Sequence, residues 1–548
     1  MSAQASTPEY LQEVAEELST LSTTPGVEAF VDAYLGRHVV GDDGEVPQAR
    51  AAQQAASHLD LGRLRSTGED LVAITTPSEK SDGWSAGGSS LLQVVTDDRP
   101  FIVDTVTTVL TELGWAIRAV RHPVLAVRRD QEGAIAGFDA SPLDGALSES
   151  WMTVEAYPPL GQSAADLAPG TLARIQEGLA AARMAHNDGP AMRERLTDTI
   201  HHLDETPQPV VGAWVRRIGD LLRWMADDHF ELLGYREYTV DGDEFTPVEG
   251  TGLGLLREAG PDPFHATQIT EGPEVMVVTK DSRPSPVHRA GYLDYVAIRD
   301  YDHDANLVGE RRFIGLWASR AYSEPVESIP LVKDKATWVW EELAVDPSSH
   351  SGQLAREAMA SLPRDNWFAD TVADLVTLVW RMAGVHEQRH TRLLVQRAPH
   401  GRFWSCFVYV PRERYRTVTR ERITAIVKER LGGESIEFRA LVNESSMARL
   451  LLIVKRPDGA PEPEIDLAAI EAEVAQASRS WDDDFNDVAD ALPAEERGVE
   501  FGEAYESAYT AKQAVADLRL ANALTGPDDL RFALFKPDQA DEIGRAHV

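Results

Sequence analysis

Cysteine is nearly absent from this sequence, since its 548 residues contain only Cys406. One cysteine excludes an intramolecular disulfide framework and any zinc or iron–sulfur site built from cysteines alone. Long hydrophobic runs are also missing: the longest strongly apolar stretch, LLLIV ending at Val454, is far too short to span a bilayer. The first residues carry neither the positive cluster nor the apolar stretch of a signal peptide. We therefore expect a cytoplasmic protein that has no membrane partner.

Positive charge is scarce as well. The chain has 53 Lys and Arg against 89 Asp and Glu, so its formal net charge is −36. Nucleic acids and anionic lipids attract surfaces with excess positive charge, and this balance therefore argues against a nucleic-acid partner. Hydrophobic residues make up 43% and charged residues 26%, which is ordinary globular usage, and the length predicts several domains.

A complete catalytic motif is the third absence. Gly250, Gly252 and Gly254 have the wrong spacing for a dinucleotide-binding turn, so they predict a loop. The triplet Asp300, Asp302 and Asp304 begins like a calcium loop, but the following residues lack the required glycine and glutamate, which favours a solvated hairpin. We predict no catalytic residue, no metal site and no cofactor bound by these residues.

Hydrophobic periodicity predicts an α+β multidomain fold. Two polar helices open a helical lead-in over residues 1–76, which a breaker-rich stretch separates from the next region. From Ser89 the order is strand, helix, strand, strand, helix, with the first helix ending at Gly114 and the last running from about Ala164 to Ala185. This order is that of a ferredoxin-like sandwich, so we predict such a module over residues 89–190.

The rest of the chain continues the alternation. We predict a mixed α+β domain with a largely antiparallel sheet over residues 207–332, a helical linker over 333–388 and a second ferredoxin-like module over 391–457. A helical segment follows over residues 464–526, and residues 529–541 start a further strand pattern that stops. The final residues, 542–548, also read as a translation of a common sequencing-adapter oligonucleotide, so we expect an assembly artefact there.

The most interesting small-molecule candidate is the turn formed by Asp97, Asp98, Arg99 and Pro100. The first N–H groups of the helix that follows have no helical partner, so they can receive a carboxylate, and the Arg99 guanidinium can supplement them. Simple capping of the helix by Asp97 or Asp98 is the competing interpretation. If the turn binds an effector, Arg99→Ala should weaken binding while leaving the fold intact.

A second local exception is the basic stretch over residues 411–430, which includes Arg412, Arg414, Arg416, Arg420 and Arg422. One interpretation is a site for an anion or for an acidic neighbouring subunit. The other is a helix surface whose arginines pair with the protein's own carboxylates.

Several stretches, in order, resemble the amino-terminal region of the large bacterial NAD-specific glutamate dehydrogenases. They are DDRPFIVDTVTTVLTELGWAIRAVRHPVLAVRRD, LLRWMADDHFELLGYREY, SPVHRAGYLDYVAIRDYD and VGERRFIGLWASRAYSEPVESIPLVKDK. The resemblance covers most of the chain from about Ser89 onward. It implies that the ferredoxin-like modules are ACT-like regulatory modules, with a third one beginning at residue 529.

The same resemblance implies a function. The parent enzyme oxidises L-glutamate to 2-oxoglutarate and ammonia by hydride transfer to NAD, and its catalytic part lies outside the stretches that match here. We therefore expect an inactive regulatory and assembly region, with an amino acid as effector and homo-oligomers formed through its modules. The alternative is a stand-alone, non-catalytic amino-acid sensor of the ACT type; a hydrolase that linear motifs do not reveal ranks lowest.

Overall fold

The computed structural model describes residues 7–36, 46–139, 146–206, 212–242, 244–258, 274–388, 390–398, 403–441, 446–457, 464–489, 501–526 and 529–533. Within these ranges the helices are α1 (Pro8–Leu21), α2 (Val27–Leu35), α3 (Gln48–Gly62), α4 (Ile102–Glu112), α5 (Ala164–Glu205), α6 (Gly212–Trp224), α7 (Ser319–Ser323), α8 (Val332–Leu343), α9 (His350–Ser361), α10 (Arg364–Ala369), α11 (Val372–Gln388), α12 (Thr417–Arg430), α13 (Leu467–Ala477), α14 (Trp481–Ala489), α15 (Glu503–Ala508) and α16 (Ala511–Asn522).

The strands in the same ranges are β1 (Leu71–Thr75), β2 (Ser90–Asp97), β3 (Ala116–Arg121), β4 (Val124–Arg129), β5 (Ile135–Asp139), β6 (Leu147–Tyr157), β7 (Phe230–Asp241), β8 (Glu244–Pro247), β9 (Leu253–Gly254), β10 (Met276–Pro284), β11 (Tyr292–Tyr301), β12 (Leu307–Trp317), β13 (Arg392–Arg397), β14 (Phe403–Pro411), β15 (Ser435–Leu441) and β16 (Met447–Lys455). The predicted mixed α+β class with antiparallel sheets is confirmed. Two compact units make up the structure: residues 1–344 with 359–376, and residues 345–358 with 377–548.

The first sheet has the order β1-β2-β6-β4-β5, and β3 also pairs with β6. All of these pairs are antiparallel. The apolar stripe of α4 packs on one face of the sheet together with α5, through Val106, Leu110 and Leu179. On the other face α1, α2 and α3 cover Trp151 and neighbouring residues. The first sixty residues thus hold three helices rather than the predicted two, and they form one layer of this module.

Both ferredoxin-like modules have the same unusual connection. An ordinary module ends with a strand that follows the second helix. That final strand pairs with the first strand of the module. Here a strand that comes earlier in the chain takes this position: β1 pairs with β2 in the first sheet, and β13 pairs with β14 in the second. The second sheet has the order β13-β14-β16-β15. The predicted boundary after residue 76 therefore needs correction, because β1 belongs to the first sheet. α13 packs on the second sheet through Ile470 and Val474, outside the predicted range 391–457.

The central domain contains an antiparallel sheet of order β10-β11-β12-β7-β8, with β9 paired to β7. Helix α5 reaches this domain, because Ala181 and Ala185 pack in its core with Leu233 and Ile314. The helix was expected to end near Ala185, but it has 42 residues and contains Pro190. A proline inside a helix costs about 3 kcal/mol, and burial on both sides of it offsets that cost.

Helices α8 to α11 lie within residues 332–388, the segment predicted as a helical linker. Helices α13 to α16 occupy the segment predicted as helical over residues 464–526, where residues 490–500 are not described. Of the predicted third module, residues 529–533 form neither helix nor strand, and the remainder lies outside the described residues. The predicted artefact over residues 542–548 also lies outside them.

Candidate regulatory site at the start of α4

Of the four predicted site residues, Asp97 is the last residue of β2 and the other three lie between β2 and α4. Asp98 and Pro100 are exposed, Asp97 is half-buried and Arg99 is buried. Helix α4 starts after Phe101, whose backbone is left-handed at φ 73° and whose side chain makes no capping hydrogen bond. Neither aspartate caps the helix, so the capping interpretation was wrong. The amino terminus of α4 therefore has no side-chain cap.

The Arg99 side chain points into the module. Its Nη1 donates to Thr96 Oγ1 at 2.8 Å and to the Asp97 carbonyl at 3.2 Å. Its Nη2 donates to Asp70 Oδ1 at 3.0 Å and to the Leu179 carbonyl at 3.1 Å. Burial lowers the pKa of the guanidinium, although Asp97 opposes this. Arg99 thus joins β2 to α5 and to the residue before β1, which makes it a structural residue.

Asp70 is the shared acceptor of this cluster. Its side chain is 7% exposed and accepts from Thr96 Oγ1 at 2.5 Å, from Arg99 and from Arg183 of α5. Burial lowers the pKa of Arg183, and so does the nearby Arg65. A buried carboxylate is tolerated only when several donors satisfy it, so each of these groups depends on the others.

Asp97 belongs to an adjoining ion network. Its carboxylate accepts from Arg65 Nη2 at 2.5 Å and from the Gly68 N–H at 2.9 Å. The fully buried Arg65 also pairs with Glu149 at 2.9 Å, and Glu149 is held by Arg129 at 2.6 Å. Asp97 is therefore committed to internal contacts, which explains why it does not cap α4. Of the four predicted residues, Asp98 and Pro100 are the ones that face solvent.

Three contacts connect α4 to the loop of residues 285–291 in the central domain. Asp104 Oδ2 lies 2.7 Å from His288 Nδ1, and the His288 N–H donates to Thr105 Oγ1 at 3.1 Å. Thr108 Oγ1 donates back to the His288 carbonyl at 3.1 Å. Sequence reasoning missed this junction, since residues so far apart in the chain give no local pattern.

The other sequence candidates have structural roles. Gly250 and Gly252 lie in the expected loop, but Gly254 lies in the short strand β9, which pairs with β7. The Gly254 N–H donates to Asp188 Oδ2 at 2.7 Å, and this carboxylate also pairs with Arg257. Asp300 pairs with His202 at 2.7 Å, while Asp302 accepts from backbone N–H groups in the expected β11–β12 hairpin.

In the basic stretch, arginines pair with the protein's own carboxylates. Arg414 lies 3.0 Å from Asp483, and Arg430 pairs with Glu473 on α13. Both contacts favour the second interpretation of this stretch. Among the described residues, no group of three or more His, Cys, Asp or Glu side chains could hold a metal ion. In the same part of the chain, every helix is too short or too polar to cross a bilayer.

Comparison with known families gives three matches. Residues 30–166 match the glutamate dehydrogenase ACT1 domain, residues 329–388 match helical motif 1 of glutamate dehydrogenase, and residues 392–482 match its ACT2 domain. The two ACT matches fall on the two ferredoxin-like modules. The ACT2 match includes α13, in agreement with its packing on the second sheet.

Comparison with whole proteins also gives glutamate dehydrogenases. The chain is 30% identical to NAD-specific glutamate dehydrogenase of Pseudomonas aeruginosa over 90% of its length. The chain is similar to NAD-specific glutamate dehydrogenases. It is 28% identical to that of Halomonas elongata over 85% of its length, and 29% identical to that of Mycobacterium tuberculosis over 95%. It spans about a third of the length of these dehydrogenases, namely 32%, 30% and 33%.

Proposed function

We propose that this chain is the regulatory and assembly region of an NAD-dependent glutamate dehydrogenase. The parent reaction converts L-glutamate, NAD and water to 2-oxoglutarate, ammonia and NADH. The observation that carries the proposal is the pair of ACT matches on two modules that share the same early edge strand, within a chain that is similar to glutamate dehydrogenases along most of its length. The NAD cofactor belongs to the parent enzyme, and the proposed compartment is the reducing cytoplasm that a single buried cysteine suits.

In this role the chain itself transfers no hydride. The purified 548-residue protein, incubated with L-glutamate and NAD, should form no NADH. Turnover that follows the concentration of this protein would contradict the proposal. A second test is the size of the natural protein in its source cells. The regulatory role predicts a polypeptide about three times as long, as in the relatives, whereas a free sensor predicts a chain of this mass.

The effector site proposed from sequence remains at the turn of residues 97–100, with revised roles. The N–H groups at the start of α4 would receive the carboxylate of an amino acid, and the exposed Asp98 would receive its ammonium group. Arg99 and Asp97 would position the turn from within. An effector acts by binding one of two states more tightly than the other.

Calorimetric titration of the whole chain with each of the twenty common L-amino acids tests this site. Asp98→Asn should weaken the binding of the amino acid that binds. The matched control is Asp166→Asn, an exposed aspartate in the first turn of α5. Equal affinities of the wild type and the Asp98→Asn variant for that amino acid would show that it binds at another site. Homo-oligomers formed through the modules are part of the same proposal, and sedimentation analysis of the chain tests them.

A further inference from the structure

Phe101 lies where the first ferredoxin-like module, which contains β1 to β6 and is called module 1 below, meets the central domain. It directly follows the turn of residues 97–100 and precedes α4. Its half-buried ring packs against the core of the central domain. The ring also lies beside the imidazole of His288, with 5.3 Å between ring centroids. The residue that follows the proposed effector turn is therefore packed against another domain.

The backbones at this contact are unusual. Phe101 has φ 73° and His288 has φ 72°, so both adopt the left-handed conformation. Residues with a Cβ adopt this conformation reluctantly, and it persists where the surrounding structure holds it. Here each of the two residues contacts the other, so each helps to hold the other's backbone.

Hydrogen bonds fix the same loop on α4. The His288 N–H and carbonyl bond Thr105 and Thr108 respectively, and its ring bonds Asp104. Helix α5 packs against both α4 and the loop at Gly178. A Cβ on this glycine would lie 2.6 Å from Thr105 Cγ2 and 3.1 Å from the Pro286 carbonyl oxygen. The helix thus approaches both partners closely at Gly178, which has no side chain.

The loop of residues 285–291 also contacts other parts of the central domain through Arg289. Arg289 Nη2 donates to the Trp317 carbonyl at 3.1 Å and to the Tyr322 hydroxyl at 3.3 Å. The Tyr322 hydroxyl in turn donates to Asp365 Oδ1 at 3.1 Å, on α10. Residues 285–291 therefore contact α4 on one side and the end of β12 and α7 on the other, and Tyr322 of α7 links them to α10.

We propose that Phe101 couples the turn of residues 97–100 to the central domain. Its left-handed backbone starts α4 only while its ring is docked beside His288, so the turn and the loop of residues 285–291 change conformation together. A ligand that favours another backbone at Phe101 must withdraw the ring, and a change in the loop must alter the turn by the same coupling free energy. The regulatory meaning of this coupling rests on the proposed function.

Hydrogen exchange of the whole chain, followed by mass spectrometry, tests the coupling without any effector. Phe101→Ala removes the ring but keeps the unfavourable backbone. It should speed exchange by about tenfold or more both in the first turn of α4 and in residues 285–291. Phe101→Gly removes the ring but adopts the left-handed backbone freely, so it should speed exchange in the loop and leave α4 close to wild type. Val103→Ala, within the module 1 core, is the control that should leave the loop unchanged.

The reciprocal change is His288→Ala, which should speed exchange in the first turn of α4 as well as in the loop. His303→Ala, an exposed histidine in the β11–β12 hairpin, should change neither segment. Amides of β6 and β11, which are inner strands of the two sheets on either side of the junction, report whether a variant is folded. If Phe101→Ala does not fold, Phe101→Leu replaces it, with the same two segments expected to respond.

Exchange that increases on only one side of the junction in both the Phe101→Ala and His288→Ala variants would overturn the coupling. So would identical exchange of α4 in the alanine and glycine variants of Phe101. Because no amino acid or NAD is present, a negative result here is separate from a failure of the proposed function. That function depends instead on the absence of turnover and on amino-acid binding.

Discussion

Replacing Arg99 by alanine separates a structural role from a ligand-binding role. The side chain is 2% exposed and donates to Thr96, Asp97, Asp70 and Leu179. Removal of one partner from a buried ion pair typically costs about 3–5 kcal/mol, because the other charge stays buried. Asp70 keeps Arg183 and Thr96 as donors, so we expect a loss near the lower end, about 3 kcal/mol.

Hydrogen exchange of β2 and of the central part of α5 measures this loss where it occurs. A loss of about 3 kcal/mol corresponds to roughly a hundredfold faster exchange in these segments. Arg174→Ala on the exposed face of α5, where the arginine is 53% exposed beside Glu112, is the matched control and should change stability by less than about 0.5 kcal/mol. The double variant with Asp70→Asn should lose less than the sum of the single losses. Unchanged exchange together with lost amino-acid binding would refute the structural role.

Three further predictions concern buried groups. Burial lowers the pKa of His58 to about 3, so the unfolded chain takes up a proton near pH 6.5 that the folded chain does not. The free energy of unfolding should therefore fall below that pH, and His58→Gln should shift acid unfolding to lower pH. Burial raises the pKa of Asp370 to about 7, so the folded chain keeps a proton that the unfolded chain releases near pH 4. Stability should therefore decline by roughly 2–4 kcal/mol from about pH 4 to pH 7, and urea unfolding of Asp370→Asn should lack this decline. Burial also raises the pKa of the Cys406 thiol, which should resist alkylation in the native protein, as measured by mass spectrometry, and react once urea unfolds it.

Local patterns predicted the path from β2 through α4 to β3. A short, mostly apolar run marks the buried strand β2, and a single apolar stripe marks α4. Gly114 follows α4 with φ 79°, a conformation that glycine adopts at little cost. Each of these signals acts over a few neighbouring residues, so the sequence alone contains it.

The misplaced boundaries have a different cause. β1 has five half-buried or exposed residues and lies before a breaker-rich stretch, so its pairing with β2 becomes evident only in the folded sheet. Gly189 and Pro190 suggest the end of a helix, but α5 continues past them, since Met192, Leu196 and Ile200 are buried beyond them. Tertiary packing overrides local propensity at both positions.

The structure has a turn where the sequence predicted one, between β2 and α4, but the roles of the side chains around it were not predictable. Arg99 bonds Asp70 and the Leu179 carbonyl, 29 and 80 residues away in the sequence. A linear pattern cannot distinguish an arginine that faces a ligand from one that crosses a module. For the same reason the sequence did not indicate a role for His288, whose partners on α4 lie more than 170 residues away in the chain.

The early position of β1 and β13 has a consequence for how such modules can be joined. An ordinary module must bring its chain back to the sheet after the second helix, which fixes a turn at the helix end. In the first ferredoxin-like module that return is unnecessary, so α5 extends directly into the central domain. The two domains therefore share one continuous helix, and a tilt of that helix in one of them displaces its other end in the second.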